Sequence, residues 1–343
     1  MKRLVSLSLA LMLLVCLAAC GSNSNNDKFY KDSDPIQVTD GAGRHVSFPS
    51  PVETVATSWG GTCDPYLFAL GVQDRLVATN ATNDFHHLLI QDMDSMKSVG
   101  RWALDKEALA AISPDLYIHG LGGLDNIKNA NKVGVRGIAL SLNTFDDVNN
   151  NILLLGHVFG VDDRAEYVVE KCEDVLKIVD ERVNTVPQDQ RVTVVVLGEE
   201  TGTVATDIFN TMEEMVRHAG GVSVVPADLS TKTEFANVGL ETIFKWDADY
   251  VFLQGSWGEL TDAQILSDPT WANLTSVKNG HVYTIPSLVD SWSTATPSCY
   301  LGMLYMSMQM YPDLYSDIDY EQVVLDFYRE VYGLETTRDN LGF

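Results

Sequence analysis

One long helical segment divides two regions of the chain in which short apolar runs alternate with helical patterns. Residues 162–183 contain neither glycine nor proline over about six helical turns, and Pro187 ends the segment. On either side, apolar runs such as 116–119 and 192–197 stand between amphipathic stretches, which is typical of parallel strands with crossover helices. The sequence therefore predicts an α/β fold: two Rossmann-like lobes with central parallel sheets, a single long linking helix, and a ligand cleft between the lobes.

The predicted organisation has five parts. Two alternating runs around a glycine-rich turn at 40–43 predict a hairpin at the start of the first lobe. The parts are a signal peptide (1–19), Cys20 with a flexible tether (20–34), an N-terminal lobe (35–161), the linking helix (162–185) and a C-terminal lobe (186–343).

The first twenty residues predict export and lipidation. Lys2 and Arg3 precede an apolar run from Leu4 to Leu17, which is the order of an export signal and is short for a membrane span. Its ending, LAAC at 17–20, resembles the lipobox of bacterial lipoproteins and implies acylation of Cys20. We therefore expect a lipid-anchored, extracytoplasmic protein, at the cell surface or in the periplasm.

Charge and motifs exclude several functions. The chain has 47 acidic and 23 basic residues, a net charge of -24, which argues against nucleic acid as a partner. It lacks a nucleophile elbow, a Walker loop and a zinc-protease helix motif, so no enzyme is predicted. The adjacent His86 and His87 are expected in a surface loop. The alternative from another class is an exported metal-dependent hydrolase, using His86, His87 or His119 with Glu199 or Glu200.

Two segments repeat one pattern, one in each predicted lobe. Residues 107–120 and 241–255 each begin with a glutamate, continue as an amphipathic turn, reach an aspartate eight positions later, and end in a buried-type strand and a glycine. The repetition supports two similar lobes.

Ligand-type residues collect where predicted strands end, which is where open α/β sheets bind ligands. Trp59 and two glycines precede a helix start whose amides could hold an anionic group. Tryptophans in such loops suit stacking on a broad, partly apolar ligand. The predicted ligand-binding residues are Trp59, Gly60, Thr62, Trp102, His119, Thr203, Trp257 and Trp292.

The cysteines do not form a complete disulfide framework. Of five, Cys16 leaves with the signal and Cys20 takes the lipid, so three remain: Cys63, Cys172 and Cys299. One pair is possible and none is required. A bridge between Cys63 and Cys299 is one alternative, because both lie near helix starts at the predicted cleft.

The export cysteine, hairpin and long helix occur with four short segments: SPDLYI at 113–118, DPTW at 268–271, VKNGHVY at 277–283 and FYREVYG at 327–333. Together they resemble the class III solute-binding lipoproteins of ABC importers over nearly the whole mature chain. The resemblance implies a monomeric receptor with no intrinsic cofactor or metal. Its cargo would be an iron–siderophore, haem or cobalamin complex, delivered to an ABC permease with its cytoplasmic ATPase.

The resemblance also implies docking residues. Each lobe of that family presents an exposed glutamate to arginines of the permease, and the matching positions are Glu107 and Glu241. The cleft loops lack a plain pair of arginines for a carboxylate-rich siderophore, and Arg101 is the main basic candidate. An oxyanion such as molybdate or tungstate, held by helix-start amides and hydroxyls, is the alternative cargo within the same architecture.

Overall fold

The computed structural model describes residues 35–81, 83–101, 103–198, 201–205, 211–229, 235–255 and 260–343. The strands are β1 Ile36–Thr39, β2 His45–Phe48, β3 Val55–Thr57, β4 Leu76–Ala78, β5 Leu116–Gly120, β6 Arg136–Leu140, β7 Thr193–Leu197, β8 Thr203–Ala205, β9 Val222–Ser223, β10 Phe235–Asn237, β11 Tyr250–Leu253 and β12 Val282–Thr284. The helices are α1 Gly60–Ala69, α2 Asp84–Leu89, α3 Lys106–Ile112, α4 Leu124–Lys132, α5 Phe145–Phe159, α6 Asp162–Val183, α7 Thr211–His218, α8 Leu240–Trp246, α9 Asp262–Ser267, α10 Thr275–Asn279, α11 Cys299–Met310, α12 Tyr320–Tyr332 and α13 Arg338–Leu341. Among these helices none combines the length and apolar character needed to cross a membrane.

The N-terminal half contains the predicted hairpin and a parallel sheet. Strands β1 and β2 pair antiparallel, and the Asp40 carboxylate at their turn accepts hydrogen bonds from the amides of Ala42, Arg44 and Ala139. The sheet has the order β4-β3-β5-β6, with every pair parallel. All five residues of β5 are buried, as expected for a parallel strand covered on both faces.

The sheet of the C-terminal half is mixed. Strands β7, β11 and β12 run parallel, and β9 pairs parallel with the start of β7. Strand β8 pairs antiparallel with the end of β7, and β10 pairs antiparallel with β8. The predicted parallel sheet is therefore its central part. The strands β8 and β10, three residues each, form an antiparallel edge that the alternation did not indicate.

The long predicted helix is α6, with 22 residues and a length of about 33 Å. Its buried residues recur every three or four positions and pack against α5, α11 and α12: Ala165, Val168, Cys172, Val175, Val179 and Val183. Near its start, the Arg164 guanidinium donates to the carbonyls of Ala69 in α1 and of Glu330 and Val331 in α12. One side chain thus joins the long helix to both halves.

The largest hydrophobic core extends through both halves. It contains Val55 and Leu116 of the first sheet together with Val194 and Phe252 of the second. Smaller clusters lie within each half alone. Helix α12 contributes to the shared core by packing Tyr332 edge-on against Phe85, with 4.9 Å between ring centroids. The described residues from 35 onward form one compact unit, and the predicted lobe boundaries stay predictions.

The repeated pattern has the same hydrogen bonding in both halves. Helices α3 and α8 each have seven residues and end at a left-handed residue that is not glycine, Ser113 and Asp247. Two positions later, an aspartate ties the next strand to its neighbour: Asp115 accepts from Thr54, and Asp249 accepts from the amide and hydroxyl of Thr193 at 2.8 and 2.7 Å.

Candidate functional site

A cavity of about 440 Å³ lies between segments of the two halves. One wall comes from the loops after β3 and β4 and from the segment after α2: Trp59, Gly61, Asn80, Ala81, Asn83 and Arg101. The other wall comes from the segment after β12: Ser287, Leu288, Val289, Ser291 and Thr294. Both walls follow the carboxyl ends of strands, which is where open α/β sheets bind ligands.

The described lining mixes polar and apolar residues and contains no acidic residue. It offers one guanidinium, two carboxamides and three hydroxyls, and Gly61 is the residue of the first turn of α1 that lines it. The lining differs in this respect from the chain as a whole, in which acidic residues outnumber basic ones two to one. The cavity therefore suits a ligand that accepts hydrogen bonds and carries negative charge.

Trp59 is the aromatic residue of the described lining, and it rests on His119. The two ring centroids are 5.6 Å apart at an angle of 34°. A Cβ on Gly120 would lie 2.4 Å from the indole, and a Cβ on Gly123 would lie 2.0 Å from the His119 ring, so both glycines are needed for this packing. Burial lowers the pKa of His119, which favours the neutral ring. His119 thus supports Trp59 from behind.

The start of α1 is held against the loop after β4. The amide of Gly60 donates to Asn80 Oδ1 at 2.9 Å, and the amides of Thr62 and Cys63 donate to the Trp59 carbonyl. A Cβ on Gly60 would lie 2.1 Å from Thr79 Oγ1, so only glycine fits there. Gly60 and Thr62 are buried, and they shape the wall from behind the cavity surface.

A buried carboxylate and a buried imidazole stand behind the same wall. The Asp64 carboxylate accepts hydrogen bonds from the hydroxyls of Thr57 and Thr79 at 2.7 and 2.6 Å. It also lies 2.9 Å from Nε2 of His86, and both residues have no exposed surface. The other ring nitrogen, Nδ1, contacts Asn83 Oδ1, which belongs to the cavity lining.

The opposite wall has its own buried acid, Asp290. Its carboxylate accepts a hydrogen bond from the Ser298 hydroxyl, which also contacts the Tyr332 hydroxyl at 2.7 Å. Burial raises the pKa of Asp290 to about 7, although the Ser298 hydrogen bond and the nearby His86 favour the charged carboxylate. The same segment is joined to the first half by Tyr66, whose hydroxyl donates to the Ala295 carbonyl at 2.7 Å.

The prediction that Trp292 stacks on a ligand is wrong. Its side chain is 1 % exposed, and its indole N–H donates to the Tyr328 hydroxyl at 2.9 Å, so neither ring face is open to the cavity. Thr203 is half-buried at the start of β8 and is not part of the described lining. Three other predicted residues, Cys20, Trp102 and Trp257, lie outside the described residues.

His86 does not have the open surroundings that the hydrolase alternative requires. His86 is not in a surface loop but buried in α2, where Asp64 and Asn83 occupy its two nitrogens. No group of three potential metal ligands occurs in the part of the chain that the structure describes, and Glu199 and Glu200 lie outside it.

The three cysteines of the body are free and buried, so Cys63 and Cys299 are not bridged. Burial raises the pKa of all three thiols, and each therefore stays protonated. Their role in the structure is apolar packing in the shared core.

Sequence reasoning missed most of the polar lining. Asn80 and Asn83 directly follow the short strand β4, and the run TNATND at 79–84 was the available signal. Ser287 and Leu288 carried no signal, because they lie in a segment without helix or strand between β12 and α11. The position of such a segment depends on what packs beneath it.

Both predicted docking residues are exposed in the first turn of a helix. Glu107 lies in α3 and Glu241 in α8, at equivalent positions of the two repeats. Negative charge is favourable at a helix start, so the helix itself does not oppose an exposed glutamate there.

Residues 55–288 match a family model described as periplasmic binding protein. The chain belongs to this family. Its members bind solutes and are not enzymes, in agreement with the sequence prediction. Among curated relatives, the chain is 24 % identical to the molybdate-binding protein MolA of Haemophilus influenzae, over 68 % of this chain and 71 % of MolA. It is 24 % identical to the Fe(3+)-citrate-binding protein YfmC of Bacillus subtilis, over 83 % of this chain and 90 % of the relative.

Solved structures of the family share the fold. Helicobacter pylori CeuE with Ni(II) bound superposes with a TM-score of 0.76 at 20 % identity, covering 88 % of this chain and 97 % of CeuE. Haemophilus influenzae MolA bound to molybdate superposes with a TM-score of 0.75 at 21 % identity, covering 88 % of this chain and 99 % of MolA. The predicted two-lobe α/β architecture is confirmed.

Proposed function

We propose that this protein is the receptor of an ABC importer and that it captures a compact, negatively charged metal complex in the cavity between its two halves. The observation that carries the proposal is the described lining, which is rich in hydrogen-bond donors and free of acidic residues in a strongly acidic chain. No covalent step is needed. The receptor works by binding its cargo more tightly in one arrangement of its walls than in another.

The size of the cavity and the donors of its lining favour a ferric complex of small carboxylate ligands, which carries negative charge. A volume of about 440 Å³ lies in the lower part of the range of ~300–1,000 Å³ for small-molecule sites. Haem or a corrinoid would need wide apolar walls, and Trp59 is the one aromatic ring of the described lining. The relative named for Fe(3+)-citrate binding supports this cargo class.

The second candidate cargo is a tetrahedral oxyanion. The hydroxyls of Ser287, Ser291 and Thr294 and the carboxamides of Asn80 and Asn83 could surround a small anion without any ring contact. A relative named for molybdate binding supports it. Calorimetric titration with ferric citrate and with sodium molybdate separates the two candidates, and native mass spectrometry of protein purified from its host weighs the cargo directly. Recovery of a neutral or cationic cargo would contradict the proposal.

Delivery would use Glu107 and Glu241 as contacts for the permease. Because the two glutamates occupy equivalent positions in the two repeats, each half would present one carboxylate to the permease. Glu107→Arg with Glu241→Arg should abolish uptake of cargo by cells while cargo affinity is unchanged. Glu166→Arg, an exposed charge reversal on α6, is the matched control. Normal uptake by the double variant would reject the assignment.

Membrane attachment would come from acylation of Cys20, with residues 21–34 as the tether. The relatives named as ABC transporter substrate-binding lipoproteins support this arrangement. One chain would be sufficient for binding, because both walls of the cavity come from the same chain. Replacing Cys20 by alanine should release the protein from the membrane fraction, and retention there would contradict lipid anchoring.

A further inference from the structure

Two asparagines on one wall of the cavity have their carboxamide orientations fixed by the protein. Asn80 Oδ1 accepts a hydrogen bond from the amide of Gly60 at 2.9 Å, and Asn83 Oδ1 accepts one from the amide of His86 at 3.2 Å. A backbone N–H can only donate, so the atom facing it must be the oxygen of each carboxamide. The NH₂ group of each carboxamide therefore points away from the backbone amide that the oxygen faces. No hydrogen bond within the described part of the chain engages either NH₂ group.

His86 adds a second constraint on Asn83. Its Nδ1 contacts the same oxygen of Asn83, and its Nε2 lies 2.9 Å from the Asp64 carboxylate. A carboxamide oxygen can only accept, so Nδ1 must carry a ring proton, while Nε2 is held by its hydrogen bond to Asp64. This buried pair fixes the orientation of the ring.

The surroundings of His86 are consistent with a fixed ring. Phe68 packs edge-on against it, with 5.1 Å between centroids, and Asp64 is itself held by two threonine hydroxyls. Asp290, from the segment that forms the opposite wall, interacts electrostatically with His86. The Nδ1–H group in contact with the Asn83 oxygen draws electron density toward that oxygen and strengthens the NH₂ group as a donor.

We infer that Asn80 and Asn83 select for negatively charged cargo by presenting their NH₂ groups to the cavity, and that Asp64 and His86 are positioning residues that hold Asn83 in this orientation. The inference rests on the proposed function, since it takes this cavity as the cargo site. It goes further by assigning the selection for negative charge to two carboxamide NH₂ groups. It also assigns the orientation of one of them to the buried pair Asp64 and His86.

Aspartate is the informative substitution at both positions. Asn80→Asp and Asn83→Asp would each keep the oxygen that accepts from the backbone amide. Aspartate is also as good a helix N-cap as the asparagine that caps α2, so folding should be preserved. Each substitution replaces the NH₂ group, which donates hydrogen bonds, with a negatively charged oxygen, which accepts them.

The experiment measures the affinity of the mature protein for ferric citrate and for sodium molybdate by calorimetry. Asn83→Asp and Asn80→Asp should each weaken binding of whichever probe the wild type binds by about tenfold or more. Asn150→Asp, which adds the same charge on the exposed face of α5, should not change the affinity. Equal affinity of the wild type and both aspartate variants would overturn the selection role.

A second measurement does not depend on the cargo. Nitrogen NMR of the imidazole should show that Nδ1 of His86 carries a proton. A ring with no proton on Nδ1 would overturn the positioning role. Failure of the wild type to bind either probe would contradict the proposed cargo instead, and the NMR result would still decide the positioning role.

Discussion

Replacing Asp290 by asparagine should raise the stability of the protein at alkaline pH and leave it nearly unchanged near pH 4. Burial raises the pKa of Asp290 from 3.8 to about 7. Between these values, the folded chain holds a proton that the unfolded chain has released. The stabilising contribution of this group is therefore complete below pH 3.8 and is lost as the pH rises through about 7. A shift of about 3 pH units, at ~1.4 kcal/mol per unit, corresponds to roughly 4 kcal/mol of unfolding free energy.

Urea unfolding at intervals from about pH 4 to about pH 9 tests this prediction. Asparagine keeps an oxygen that can accept from Ser298, so the difference in unfolding free energy between Asp290→Asn and wild type should grow up to about pH 7 and then level off. Asp313→Asn removes an exposed negative charge and serves as the control, with a profile parallel to that of the wild type. Parallel profiles for Asp290→Asn and wild type would show that Asp290 is charged in the folded protein and would refute the reasoning.

Three further variants test other parts of the structure. Trp59→Ala should weaken cargo binding about threefold to tenfold, the equivalent of ~0.5–1.5 kcal/mol of ring contact. Unchanged affinity would contradict ring contact with the cargo. Gly120→Ala should lower the affinity for cargo, and it should lower the free energy of unfolding by ~1–3 kcal/mol, because the added methyl group would lie 2.4 Å from the indole of Trp59. A melting curve identical to that of the wild type would disprove the close packing. Asp249→Asn should lower the free energy of unfolding in urea by ~1–3 kcal/mol, since the Thr193 amide and hydroxyl lose a charged acceptor. An unchanged free energy of unfolding would contradict a stabilising role of the repeated aspartate.

The sequence predicted the regular parts of the fold well. Helix α6 coincides with the helical pattern at 162–183 and ends two residues before the predicted end of the linking helix at 185; a 22-residue amphipathic pattern without glycine or proline has few alternatives. The hairpin and the parallel strands followed from alternation and turn residues. The three-residue strands β8 and β10 were not predicted, because segments so short carry almost no period and depend on pairing with β7.

The site was predicted less well, for physical reasons. Trp59 was found because it follows a strand and precedes a helix start. Trp292 shares the same kind of loop, yet Tyr328 provides a buried partner for its indole N–H, and nothing local in the sequence reveals a partner 36 positions away. Asn80 and Asn83 have ordinary turn composition, and their role depends on Gly60 and His86, which the fold brings together.

The core shared by the two halves has a consequence for how the protein melts. Arg164 and the packing of Tyr332 on Phe85 tie the last long helix to the first half, so neither half can lose its structure without exposing apolar surface of the other. Scanning calorimetry should therefore record a single cooperative peak instead of two, with a calorimetric enthalpy equal to the van't Hoff value. A protein with two separate sheets would then unfold as one cooperative unit.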